Sequence, residues 1–309
     1  MRKAFLRFRR ENANCGGDGR IKGITTAATF GAAVCLARSE YEKKRFSVEE
    51  TCIRSDKILK DKTLVFLSDL HNNEFGPGNR RLLEAIRRVN PDAVLIGGDM
   101  MVCKGRRDVA VPLELVKRLA RDFPVYCGNG NHENRMVWER ETYGGLYEEY
   151  RDRLKRMGVI YLENGTAPWG VDTEISGLDL GQRYYRKALF EKLDPMPPDY
   201  LVRRLGRVRG AGREEKFQIL LAHSPMYFKD YAAWGADLTL SGHFHGGTIR
   251  IPGLGGVMTP QYQFFIPWCA GDFETDGKRM IVSRGLGTHS INIRLNNRPQ
   301  LVVVRLKKQ

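Results

Sequence analysis

The sequence predicts an α/β protein organised around a largely parallel sheet. Apolar segments of strand length alternate with segments of helical period, and polar residues collect just past the carboxyl end of each apolar segment. In such sheets ligands bind in the loops beyond the strands' carboxyl ends, so those polar residues are also where chemistry is expected.

The elements follow in order from about Arg45. "RFSVEETCI" reads as an edge strand with Phe46 and Val48 on one face, and "KTLVFLSDLH" as a buried strand that ends in polar residues. A helix comes next: Asn79 is placed to cap it, Leu82, Leu83, Ile86 and Val89 form an apolar stripe, and Asn90-Pro91 stops it. The cycle repeats with "DAVLIGGDMM" as a second buried strand and "VPLELVKRLA" as a helix carrying Pro112 in its first turn. "FPVYCGNGNHE" is the third strand, and "FQILLA" and "ADLTLSG" are later ones.

The strand ends carry a consistent donor set. Asp69 and His71 follow the first buried strand, Asp99 the second, Asn131 and His132 the third, His223 follows "FQILLA", and His243 with His245 follows "ADLTLSG". Five of the 6 His therefore lie just past apolar strands. Taken singly, each is explained as a turn Asp or Asn, or as a His bonded to a carbonyl. Taken together, independent turns do not select oxygen and imidazole donors at every strand end. In "LSGHFHGG" the i, i+2 spacing puts His243 and His245 on one face if the segment is extended, and the flanking glycines let backbone approach a ligand. Asn129 is assigned to the loop, since Asn131 directly precedes His132, and His289 in "GLGTHS" is read as structural.

The ordered series D-x-H at Asp69–His71, G-D at Gly98-Asp99, G-N-H-E at Gly130–Glu133, His223, and G-H-x-H at Gly242–His245 resembles the calcineurin-like metallophosphoesterases over roughly residues 45–309. The continuation "GHFHGGTIRIPGLGG" and the short apolar N-terminal run are similar to a bacterial membrane-associated phosphodiesterase branch of that superfamily. The resemblance implies a four-layer α/β/β/α sandwich of two mixed sheets with a dinuclear metal centre at one edge. It implies that Asp69, His71, Asp99 and His245 hold one metal and that Asp99, Asn131, His223 and His243 hold the other, Asp99 bridging. Two cations so placed lower the pKa of a shared water and neutralise a phosphoryl transition state, so no protein nucleophile is required. Oxygen and imidazole donors without thiolate suit manganese, iron or zinc. His132 takes no metal in this scheme; it stabilises or protonates the leaving oxygen, with Glu133 or Asp99 as its orienter.

The N-terminus stands apart. A basic segment, residues 1–22, precedes an uncharged run at 23–37, "GITTAATFGAAVCLA", and residues 38–309 are left for the catalytic domain. Fifteen helical residues reach about 22 Å, short of the roughly 30 Å of hydrocarbon in a bilayer. The run reads as a short membrane anchor, the h-region of an export signal, or a helix packed on the domain. If it inserts, the basic residues before it set the N-terminus in the cytoplasm and the domain outside; otherwise the domain is cytoplasmic. The 6 Cys, at 15, 35, 52, 103, 127 and 269, lack C-x-x-C pairing and read as free thiols or small buried side chains.

With 51 Lys+Arg against 36 Asp+Glu, the net charge of +15 reads as a basic solvated exterior or as a surface for anionic partners: phosphate esters, nucleic acid or an anionic lipid surface. No zinc-finger, RNP-like or basic-zipper pattern reads nucleic acid specifically, and no feature sets an oligomeric state. "LVRRLGRVRGAGR", 201–213, is read as a solvated loop or an anion-attracting rim. "YQFFIPW", 262–268, is read as core or a sheet edge, or, if exposed, as a lipid-facing wall. Three functions follow. The first is a metal-dependent phosphoesterase at a membrane acting on a lipid-linked phosphate or diphosphate; the second is a soluble phosphodiesterase of nucleotides or nucleic acid; the third is a non-catalytic metal-binding scaffold.

Overall fold

In the computed structural model the described residues are 17–185, 193–208, 215–259, 263–289 and 291–309. The chain divides into two units, Met1–Arg38 and Ser39–Gln309. Among the described residues the strands are β1 (Ser47–Ser55), β2 (Lys62–Leu67), β3 (Ala93–Ile96), β4 (Val125–Gly128), β5 (Ile160–Leu162), β6 (Gly165–Pro168), β7 (Thr173–Leu178), β8 (Phe217–Ala222), β9 (Leu238–Ser241), β10 (Arg250–Ile251), β11 (Gly255–Gly256), β12 (Gly271–Thr275), β13 (Lys278–Val282) and β14 (Gln300–Lys308). The helices are α1 (Gly17–Lys43), α2 (Arg80–Val89), α3 (Ala110–Asp122), α4 (Asn131–Trp138), α5 (Arg140–Tyr143), α6 (Leu146–Arg156), α7 (Tyr200–Leu205) and α8 (Phe228–Trp234).

The first sheet runs β1-β14-β2-β3-β4-β5, parallel except where β14 meets β2. The second runs β12-β13-β9-β8-β7-β6, parallel in its centre with an antiparallel strand at each edge. Alternation along each strand sends side chains to opposite faces, and here both faces are covered. In β2, Leu64 and Phe66 point between the sheets, where they join Leu95, Tyr126, Ile219, Leu221 and Leu240. Val65 and Leu67 point outward, under Leu82 and Ile86 of α2, Leu113 and Val116 of α3, and Tyr150 of α6. On the far side Leu220 and Ala222 of β8 lie under Leu201 of α7 and Tyr231 of α8. The result is the four-layer sandwich of two mixed sheets that the resemblance implies, and not the single largely parallel sheet that alternation alone predicts. The later strands make the difference, because β6–β9 with β12 and β13 pair among themselves as a second sheet while β14 alone returns to the first, between β1 and β2.

Several local expectations change. β1 is an edge strand as read, but of the expected pair only Phe46, just before it, turns inward, its ring 4.9 Å from that of Phe75, while Val48 is half exposed. Asn79 does not cap α2 with its side chain; it sits at φ 58°, accepts from the amide of Phe75 and donates to the carbonyl of Asn73. The uncharged run 23–37 lies within α1, whose side chains are exposed from Thr25 to Arg38. No helix among the described residues is long and apolar enough to cross a membrane. Leu201–Leu205 belong to α7, whereas 209–213 fall outside the described residues. Tyr262 also falls outside them, and Phe264 and Phe265 are exposed, which excludes a core role for these two. None of the described cysteines forms a disulfide, and Cys103, Cys127 and Cys269 are buried; Cys15 lies outside the described residues.

The second unit begins with two buried contacts. Ser39 Oγ accepts from the amide of Arg294 at 2.9 Å, and Glu42 Oε2 accepts from the amide of Asn297 at 2.9 Å. A chain beginning at Arg38 is therefore expected to unfold cooperatively within about 2 °C of the full chain. One beginning at Arg45 loses both acceptors and is expected to be less stable by about 1–3 kcal/mol. Thermal and urea unfolding of the two truncations check this; equal loss in both would show that residues before Arg38 belong to the core.

Candidate metal centre

The carboxyl ends of the two sheets' central strands converge. Asp69 and His71 follow β2, Asp99 follows β3, Asn131 and His132 open α4 just after β4, His223 follows β8, and His243 and His245 follow β9. All eight side chains are buried. Five of these residues hold backbone in the left-handed region: Asp69 at φ 53°, His71 at 49°, Asp99 at 55°, His243 at 75° and His245 at 52°. Such conformations are costly for residues other than glycine, and they concentrate at functional sites. They also correct one premise, because His243 and His245 are not in extended backbone. They reach the centre through a tight loop and join different groups.

Hydrogen bonds hold this strained set. The amides of Asp69, His71 and Asn72 donate to the carbonyls of Gly98, Asp99 and Met100, which zips the loops after β2 and β3 together. The Glu133 carboxylate accepts from the amides of Asp99, Met100 and Gly130 at 2.8–2.9 Å. Asp99 Oδ1 accepts from the amide of His132 at 2.7 Å, and Asp69 accepts from the amide of His243 and the hydroxyl of Ser68. Two glycines make room: a Cβ on Gly130 would stand 2.3 Å from Asp99 Oδ1, and one on Gly242 would stand 2.2 Å from Asp69 Oδ2.

Among the described residues the donors form three overlapping groups, Asp69–His71–His245, Asp99–His223–His243 and His71–Asp99–His132–His289. His71 Nε2 and His245 Nε2 lie 3.1 Å apart. Two nitrogens at about 2.1 Å from one ion subtend about 3.0–3.4 Å, so the spacing fits a shared cation. The outer ring nitrogens fix the orientation. His71 Nδ1 donates to the carbonyl of Met101 at 3.3 Å and His223 Nδ1 to that of Gly97 at 2.8 Å, which turns both Nε2 lone pairs inward. His223 Nε2 is 3.2 Å from Asp99 Oδ2 without hydrogen-bond geometry, and both atoms, with Asn131 Oδ1, are buried and unpartnered. Orphaned acceptors at this depth are expensive unless a cation satisfies them.

Electrostatics agree. Burial works against ionisation of Asp69 and Asp99, yet His245 and His223 hold Asp69, and His223 and His132 hold Asp99, below the ordinary carboxylate range. Burial likewise opposes a charge on His223, but Asp99 and then Asp69 outweigh it and raise its pKa to about 10. The carboxylates demand positive charge, which a proton on His223 or a bound cation can supply.

His132 is arranged the other way round. Its Nδ1 accepts from the amide of Cys103 at 2.8 Å, so Nε2 carries the hydrogen. Burial lowers its pKa to about 4, so the ring is neutral near pH 7. Neither the carboxylate of Glu133 nor that of Asp99 orients this imidazole; the backbone of Cys103 does. Glu133 serves instead to staple the loops. Asn129 bonds Tyr147 and Asp179 and stays outside the donor groups, as expected. His289, expected to be structural, lies in the centre: its ring is 4.4 Å from that of His71, 4.9 Å from His132 and 5.1 Å from His245.

A family model for calcineurin-like phosphoesterases matches residues 62–247, which takes in all eight of these strand-end residues. Among curated proteins the chain is 25% identical to the uncharacterized metallophosphoesterase YkuE of Bacillus subtilis, over 79% of this chain and 78% of that protein. It is 25% identical to the phosphodiesterase YaeI of Escherichia coli, over 79% and 81%. It is 27% identical to an uncharacterized metallophosphoesterase of Aquifex aeolicus, over 90% and 98%.

Gly242→Ala sets a methyl against Asp69. It is expected to destabilise the fold by about 1–3 kcal/mol and to lower bound manganese relative to wild type, measured by denaturant unfolding and elemental analysis. Wild-type stability and metal content would contradict the tight packing described.

Proposed function

The chain belongs to the calcineurin-like phosphoesterase family, and from that premise we propose a metal-dependent phosphoester hydrolase in which two cations are held by Asp69, His71, Asp99, His245, Asn131, His223 and His243, with Asp99 shared. The observation that carries this reading is the division among the imidazoles: His71 and His223 bond backbone carbonyls through Nδ1 and turn Nε2 toward the carboxylates, where a cation can replace a proton, while His132 accepts at Nδ1 and turns an N–H inward. When bound, the cations supply Lewis acidity for the phosphoryl group and acidify the attacking water; manganese, iron and zinc all suit the donors.

The protein's own residues do the rest. Asp69 and Asp99 bring the negative charge that draws cations into a buried site. The loops tied by Glu133 keep those carboxylates in place without further ordering at the moment of reaction. His132 presents Nε2–H to the leaving oxygen as a hydrogen-bond donor that stabilises the charge developing there as the ester bond breaks; the neutral ring keeps its proton, and water protonates the departing oxygen. The Cys103 amide fixes the tautomer in which Nε2 holds that proton. None of the expected donor positions is lost, which argues against a non-catalytic scaffold.

The finer reading is work at a membrane surface on a lipid-linked phosphate or diphosphate. Its support is the net charge of +15 together with exposed Leu254, Phe264 and Phe265 on the segment that follows His245, and exposed Phe30, Val34 and Leu36 on α1. A soluble nucleotide phosphodiesterase has the charge alone in its favour. A panel of phosphomonoesters, phosphodiesters and diphosphates, assayed with manganese and with and without anionic vesicles, separates the two. Preference for nucleotide diesters with no effect of vesicles would favour the second.

Two outcomes are expected for an activated aryl phosphodiester. Hydrolysis should vanish on chelation and return with manganese; full activity in metal-stripped protein would contradict the reading. Asp99→Asn should lose metal and rate together, whereas His132→Gln should keep its metal and lose about 10²–10⁴ in turnover. That loss should shrink as the leaving-group pKa falls. A defect equal for all leaving groups would remove His132 from the role of stabilising the leaving oxygen.

A further inference from the structure

His289 lies outside the donor set just assigned, yet its ring sits among three of that site's imidazoles. It meets His71 at 4.4 Å and 68°, His132 at 4.9 Å and 73°, and His245 at 5.1 Å and 77°, edge to face in each case. A ring nitrogen of His289 also falls within 4.8 Å of donor atoms of His71, Asp99 and His132. Unlike those residues, His289 is only half buried, so it stands on the solvent side, where a substrate arrives.

Its placement is enforced. The wholly buried guanidinium of Arg294 donates to the carbonyls of Arg284, Gly285 and Gly287, Asn73 Nδ2 donates to the carbonyl of Leu286, and the Gly287 amide donates to the carbonyl of Asp69 at 2.6 Å. The loop that presents His289 is thus tied to Asp69 itself. Filling space against three rings needs only an apolar side chain, whereas an imidazole brings a hydrogen-bonding edge.

We propose that His289 is a further catalytic residue, whose imidazole donates a hydrogen bond to a phosphoryl oxygen of the substrate beside His71 and His245. The assignment rests on the phosphoesterase reading and deepens it.

Orthophosphate is the probe, titrated calorimetrically into the full chain loaded with manganese, with bound metal counted in each protein. His289→Phe keeps a ring and removes the donor; His289→Gln keeps a donor and removes the ring; His289→Ala removes both and needs no extra space. Phe and Ala variants are expected to keep wild-type metal content and to bind orthophosphate about tenfold or more weakly, with the Gln variant within about threefold of wild type. Wild-type phosphate affinity in His289→Phe would make the ring a packing element and overturn the proposal. Loss of metal from Phe and Ala variants alike would make it a ligand and also overturn it. Wild-type protein that takes up manganese but binds no orthophosphate would overturn the phosphoesterase reading along with it.

Discussion

The structure depends on two carboxylates that are buried where burial is least favourable. Asp69 and Asp99 are at most 1% exposed, at the ends of adjacent parallel strands and backed by the inter-sheet core. An ionised carboxylate removed from water costs several kcal/mol unless charge and hydrogen bonds compensate it. Compensation here is partial by protein alone. Backbone amides of His132 and His243 and the Ser68 hydroxyl serve some lone pairs, while Asp99 Oδ2 is served by none. The surrounding imidazoles complete the balance only by carrying charge, as the raised pKa of His223 attests, or by sharing a cation.

Other features of the site follow from that constraint. Bringing loops from two sheets to one point forces five donor residues into left-handed backbone, and the Glu133 staple and the zipped β2 and β3 loops sustain it. Glycine at 130 and 242 is required because any larger side chain would occupy the carboxylates' space. The opposite orientation of His132 then separates roles within one cluster of chemically identical rings. A ring whose outer nitrogen donates to a carbonyl offers a lone pair to the centre; a ring whose outer nitrogen accepts from an amide offers a proton. One backbone hydrogen bond decides which.

Much of this was legible in the sequence because it is local. An apolar run followed within a few residues by Asp, Asn or His identifies both the strand and its carboxyl end, and the order of those ends identifies the donor set. Non-local features were not. Nothing in the alternation shows that β6–β9 with β12 and β13 pair among themselves, or that β14 returns between β1 and β2, so alternation alone points to one sheet where there are two. His289 follows no apolar strand directly, and only the Arg294-bound loop brings it across to His71. The amide of Cys103 as orienter of His132 could not be read from side-chain identity at all. Asn79 and Val48 failed differently: a capping residue type and a two-residue alternation were present, but tertiary contacts set Asn79 in a turn of its own and left Val48 outward on an edge strand.

The most direct test of the central claim, that the buried carboxylates exist to hold a pair of cations, is anomalous X-ray diffraction from crystals grown with manganese. Two anomalous peaks about 3.5–4 Å apart are expected, with the Asp99 carboxylate between them and His71, His245, His223 and His243 each directing Nε2 or Nδ1 at one peak. A single peak, or two peaks away from Asp99 with Asp69 and Asp99 paired only to protonated histidines, would contradict it.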